Sequence, residues 1–152
     1  MCSTAAVTSG EPSYTLELPY RRSVGPVVGA FFTALRDQQV LGSRTAAGRV
    51  LVPPLEYDPD TGDAVSDLVE VGAAGAVTSW AWVDQPMRKH PLDRPFAWVT
   101  VRLDGADTDL VHALDVPGPD AVSTGLRVQV RWADERAGHI TDIACFEPEG
   151  AS

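Results

Sequence analysis

Cysteine is nearly absent: only Cys2 and Cys145 occur in 152 residues. Two thiols support neither a disulfide framework nor a cysteine-only metal site. Histidine is almost as scarce, and His90, His112 and His139 show no metal-ligand spacing. Each reads as an ordinary surface or core residue. No apolar run approaches the roughly 20 residues of a membrane span. Positive charge is short: 12 basic residues face 21 acidic ones, leaving −9 at pH 7. That disfavours a nucleic-acid partner, whose binding rests on neutralising phosphates. The opening MCSTAAVTSGEP has neither the basic segment nor the apolar run of a secretory signal, so a cytoplasmic location is expected.

What the chain does have is a hydrophobic content of 44%, enough for one domain with a proper core. Its organising stretch is Ala76 to Leu103, two strands joined by the loop DQPMRKHPLDRP. At period two, Val77, Ser79, Ala81 and Val83 share one face of the first strand, and Thr78, Trp80 and Trp82 the other. On the second strand Ala97, Val99, Val101 and Leu103 oppose Phe96, Trp98, Thr100 and Arg102. Small aliphatics suit the inside of a tight barrel and Arg102 does not, so both aromatic faces are expected outside. Such a face needs covering, by this chain or by another.

Upstream, residues 1–18 are small, polar and aperiodic. A helix is expected within 19–43: Pro26 suits its first turn, Ser23 or Gly25 can cap it, and Gly42 can end it. Its stripe of Val27, Val28, Phe31, Phe32 and Leu35 either lies on its own barrel, over the tryptophans, or also meets a partner. In 44–67, Val50 to Val52 can form a short strand stopped by Pro53-Pro54. Asp58-Pro59-Asp60-Thr61-Gly62-Asp63 reads as a turn; its glycine and Glu70 are misplaced for a calcium loop. Gly72-Ala73-Ala74-Gly75 lacks the Gly-Lys-Ser/Thr of a phosphate loop and the following helix of a dinucleotide loop. A sharp bend into a barrel strand is the better reading. Strands are further expected at Leu110–Val116, across GLRVQVRWA, and at Ile140–Phe146. Over 68–148 this spacing suggests a small closed barrel, with 149–152 as a tail.

GRVLVPP, DPDTG, EVGAAGAVTSW, PFAWVTVRLDGAD and GLRVQVRW, in this order and spacing, resemble the bacterial and archaeal domain-of-unknown-function family thirty-five. The resemblance spans roughly residues 19 to 148. It implies a mainly β chain: an N-terminal helix, a rubredoxin-like zinc ribbon, then an oligonucleotide/oligosaccharide-binding (OB) fold barrel. It also implies an accessory subunit that pairs with a thiolase-like, sterol-carrier-type enzyme acting on acyl-CoA. One branch of the family supports retro-aldol cleavage of steroid side-chain CoA thioesters. The four zinc-ligand positions fall here on Arg44, Ala47, Asp58 and Thr61, none of them cysteine. A metal-free, vestigial ribbon is therefore expected, its shape open to question because metal supplies much of the folding free energy of such units.

No catalytic constellation is visible. No serine sits in a nucleophile elbow, and Cys145 falls in a strand with no evident basic activator. The basic cluster Arg88, Lys89, His90 and Arg94 is either a solvated loop or a grip on coenzyme A phosphates, which the resemblance suggests at an interface shared with the partner. Trp80, Trp82, Phe96 and Trp98 are the candidate partner contacts. The leading reading is a non-catalytic accessory subunit of a hetero-oligomer, with no cofactor of its own. A single-strand nucleic-acid binder, stacking bases on outward aromatics, is the alternative that the charge disfavours. A lipid carrier would need a roomier barrel.

Overall fold

A computed structural model describes Leu16 and residues 23–150; the expected N-terminal stretch 1–18, Leu16 apart, and residues 19–22 lie outside it. Pro26 opens helix α1 (Pro26–Arg36) with Gly25 at the N-cap. The orphan N–H of Val27 bonds to Oε1 of Glu56, 3.3 Å away and 29 residues on. Val27, Phe31, Ala34 and Leu35 are buried, the large side chains being worth about 2 kcal/mol each. The helix stops at Arg36, earlier than Gly42. That glycine instead lies inside the next strand, where a Cβ would meet Val50 Cγ1 at 2.7 Å.

Three short strands follow: β1 (Val40–Arg44), β2 (Val50–Leu51) and β3 (Leu68–Val71), an antiparallel sheet in the order β2-β1-β3. The ribbon's sheet thus begins before residue 44 and closes beyond residue 67. Helix α1 packs on β1 and on the 3-10 turn at Ile140–Asp142. Its buried Phe31 and Leu35 join the core cluster against which Trp82 packs.

Strands β4 (Ala74–Val83), β5 (Phe96–Leu103), β6 (Leu110–Leu114), β7 (Arg127–Trp132) and β8 (Ile143–Pro148) close into a barrel in the order β4-β5-β6-β8-β7. Five strands in this circular order, with β6 and β8 parallel, make it an OB-fold. Gly75 enters it where any Cβ would lie 2.1 Å from the Arg102 carbonyl oxygen, so a larger residue would force the strands apart. The expected strand at Ile140 starts only at Ile143. Before it, Asp142 accepts backbone N–H bonds from Ala137, Gly138 and His139 and holds a tight turn.

One irregularity changes the reading of the central hairpin. The register runs Val77↔Val101, then Ser79↔Thr100, so Thr78 is an extra residue, a β-bulge. Thr78 Oγ1 bonds Thr100 Oγ1 at 2.7 Å and Asp109 Oδ2 at 2.7 Å. Beyond the bulge every side chain of β4 changes face. Trp80 and Trp82 pair with the inward Val99 and Ala97, while Ser79, Ala81 and Val83 turn outward. The outward placement of Trp80 and Trp82 is therefore corrected. Trp82 packs against the main core, and Val83 joins the outer cluster around Phe96.

Ribbon and barrel share a single core. Phe31 and Leu35 of α1 and Val40, Val50, Val52 and Val71 of the ribbon sheet form one cluster with Val77, Val99, Leu114, Val128 and Phe146. The β2 edge is sewn to the β5–β6 turn: Val50 N–H to Asp107 Oδ2 (2.8 Å), Asp107 N–H to Val50 O (2.8 Å), and Val52 N–H to Thr108 Oγ1 (2.7 Å). No helix among the described residues is long and apolar enough to cross a membrane.

Candidate functional site

The loop between β4 and β5 folds back over the outer face of β5. Phe96 and Trp98 meet edge to face at 5.3 Å, and the His90 ring stands edge-on to both, at 5.4 and 5.8 Å. His90 Nδ1 accepts the Met87 N–H at 3.2 Å, which fixes the turn. Phe96 is fully buried with Ala113 and Cys145, and Leu92 and Trp98 pack around them. Phe96 is thus covered by its own chain and is removed from the partner contacts. Trp98 is half-buried and Trp80, at the barrel rim, is 38% exposed.

The basic cluster divides. Arg88 and Lys89 are exposed and make no ion pair among the described residues, whereas His90 is an aromatic packing residue. Arg94 is committed to Asp115, its Nε 3.1 Å from Oδ1 and its Nη2 on Oδ2. Asp115 also accepts from Arg131 Nη1 at 2.9 Å, and Arg131 reaches Glu147 at 2.7 Å. The hydrogen bond from Arg94 leads in holding the Asp115 carboxyl below its ordinary range, and that from Arg131 adds to it. This network ties the loop to the end of β6 and to β7 and β8.

Arg131 Nη1 also lies 3.3 Å from Cys145 Sγ, a basic neighbour that the linear sequence conceals because the two residues pair across strands. Burial nevertheless dominates and pushes the thiol up, so Cys145 is an inert core thiol. His112, on the neighbouring strand, is buried with Nδ1 accepting the Ala113 N–H at 2.8 Å. Burial holds its pKa below the ordinary histidine value, outweighing backbone hydrogen bonds at Ala113 and Ile143. His112, Cys145, Arg131, Leu92 and Ile143 line a cleft of about 330 Å³. It has neither an activated nucleophile nor a free acid–base pair, since its imidazole and guanidinium are spent on structural bonds.

Two hydrogen-bonded turns link the strands of the small sheet. Asp58 is buried; its Oδ1 accepts the Asp60 N–H at 2.8 Å, and Asp58 N–H to Asp63 O closes the turn at 2.8 Å. In the facing turn Thr45 N–H bonds Arg49 O, and Thr45 Oγ1 accepts the Arg49 N–H. Arg49 joins the two turns through Asp60 at 3.0 Å. Arg44, Asp58 and Thr61, three of the four ligand positions, line one cavity of about 270 Å³. An arginine, a turn-bonded carboxylate and a threonine are not a zinc donor set. Among the described residues no three His, Cys, Asp or Glu side chains gather to hold a metal.

Sequence reasoning missed Asp115 and Glu147, carboxylates whose partners lie 16 to 21 residues away, and Asp142, which caps a local turn. It also missed the Thr78 bulge, since period two carries no mark of an inserted residue.

Residues 68–133 match the protein family described as ChsH2, C-terminal OB-fold domain. The chain resembles the DUF35 family. A chain of the Ltp2-ChsH2(DUF35) aldolase superposes with a TM-score of 0.63 at 24% identity, over 84% of this chain and 98% of that one. A DUF35-family protein of unknown function from Sulfolobus solfataricus gives 0.62 at 18% identity, over 82% of this chain and 87% of that one. At these identities the shared property is the fold. No curated protein sequence matches the chain.

Proposed function

We propose that this chain is a non-catalytic accessory subunit. It docks on a thiolase-like, sterol-carrier-type enzyme and helps to form the acyl-CoA site of the assembly. The carrying observation is the match of residues 68–133 to the ChsH2 OB-fold domain, with a chain of like fold found in an Ltp2-ChsH2 aldolase. Retro-aldol cleavage of a steroid side-chain CoA thioester is the reaction class that this reading assigns to the complex, with the chemistry on the partner. The lack of an activated nucleophile in the Cys145–His112 cleft supports that division of labour.

Within the assembly, Arg88 and Lys89 are the residues left to meet coenzyme A phosphates, because Arg94 and His90 are already engaged. Trp80 is the partner anchor. The test is co-expression with an Ltp2-like subunit from the same organism. The two chains should co-purify, and Arg88→Ala with Lys89→Ala should raise the KM of the complex for its CoA substrate severalfold while leaving it assembled. Failure to co-purify rejects the accessory role; unchanged kinetics reject the phosphate grip.

A further inference from the structure

Strand β4 is longer than its support. On one side it pairs with β5 as far as Val83↔Phe96; on the other it pairs with β7 only across Ala74–Ala76. The last bonds on that second side belong to Val77, whose N–H reaches Leu126 O at 2.9 Å and whose C=O accepts from Gly125 at 2.7 Å. Val77 therefore points its backbone groups away from β5. The Thr78 bulge resets the alternation. Ser79, Ala81 and Val83 then turn theirs towards β5, and Trp80 and Trp82 point away from it. Outside the β4–β5 pair, no backbone bond joins Trp80 or Trp82 to any described residue.

This open edge, Ser79-Trp80-Ala81-Trp82-Val83, carries no charge and no proline. Lysines, prolines and inward charges are the usual protection of an exposed edge. Two N–H and two C=O groups in extended geometry are recognised by another extended strand. We propose that the edge of β4 at Trp80 and Trp82 receives a β-strand donated by the partner enzyme subunit, an inference that rests on the accessory reading above. Charge selects the donor. A second copy would bring another −9 chain to the same edge. Arg88 and Lys89, on the loop that continues β4, favour instead a segment with a carboxylate at the end nearest them.

Hydrogen exchange on the free chain and on its complex with the co-expressed Ltp2-like subunit tests this. The Trp80 and Trp82 amides should exchange freely in the chain alone and slow by about tenfold or more in the complex. A second arm compares Trp80→Ala with Trp80→Pro. Both lose the indole, but only proline removes an N–H that the fold leaves unpaired. The proline variant should bind the partner about fivefold more weakly than the alanine variant, the worth of one hydrogen bond. A complex in which both amides exchange as in the free chain overturns the inference alone. Absence of any complex overturns it together with the accessory reading. Slow exchange in a self-associated chain without partner overturns it in favour of a second copy.

Discussion

The base of the ribbon and its tips are held by different physics. At the base, Val40, Val50, Val52 and Val71 enter the same apolar cluster as the barrel, and Asp107 and Thr108 stitch β2 to the β5–β6 turn. At the tips, the turns around Thr45 and Asp58 face each other across polar groups and one exposed ion pair, Arg49–Asp60. A small isolated ribbon gains its folding free energy from metal. Here the sheet is an extension of a larger core, whose apolar packing holds its strands. What the tips keep is turn chemistry, which needs side-chain oxygens and a glycine rather than a cation.

The contrast predicts a graded series. Leu114→Ala, in the shared core, should cost about 2 to 5 kcal/mol and lower the melting of barrel and ribbon together. Separate transitions for 40–71 and 74–148 would show that the core is not shared. Asp58→Ala should cost about 1 kcal/mol, the loss of a part-buried bond to the Asp60 N–H. Its effect should be confined to faster hydrogen exchange in the turns, with the barrel unchanged. Smallest of all, a zinc chelator should leave the melting temperature where it is; a drop of several degrees would reveal a metal that Arg44, Ala47, Asp58 and Thr61 cannot explain.

The barrel has its own pH signature. His112 is held neutral by burial, so its folded pKa lies below the unfolded value of about 6.5. As pH falls through 6.5 the unfolded chain takes up the proton first, and stability is lost towards pH 5. Above that range the contribution is flat. His112→Gln should flatten the slope between pH 7 and pH 5, and an identical slope in both proteins would remove His112 as its source. Asp104 and Asp115, held low by their arginines, act only at pH values below about 4.

Much of the fold is legible in the chain. The strand alternation of Val99, Val101 and Leu103, the Asp58 turn and the Gly75 bend are local signals, each set by a few neighbouring residues. The aromatic hairpin was half legible. Period two placed Phe96 and Trp98 on the outer face, but Thr78 is a bulge only by virtue of how β5 counts against it. The candidate site was less legible still. Arg131 beside Cys145, and Arg94 on Asp115, are pairs made by barrel closure across 14 and 21 residues. Helix α1 was legible as a buried stripe, but the stripe alone does not say against what it packs.

The proposed accessory role leaves the catalysis to the partner subunit. Its most direct test is turnover of a steroid side-chain CoA thioester by three samples: the chain alone, the Ltp2-like subunit alone, and the two combined. No turnover by the chain alone and the fastest cleavage by the combination are expected. Turnover by the isolated chain that disappears on mutating one of its own residues, such as His112 or Cys145, would contradict it.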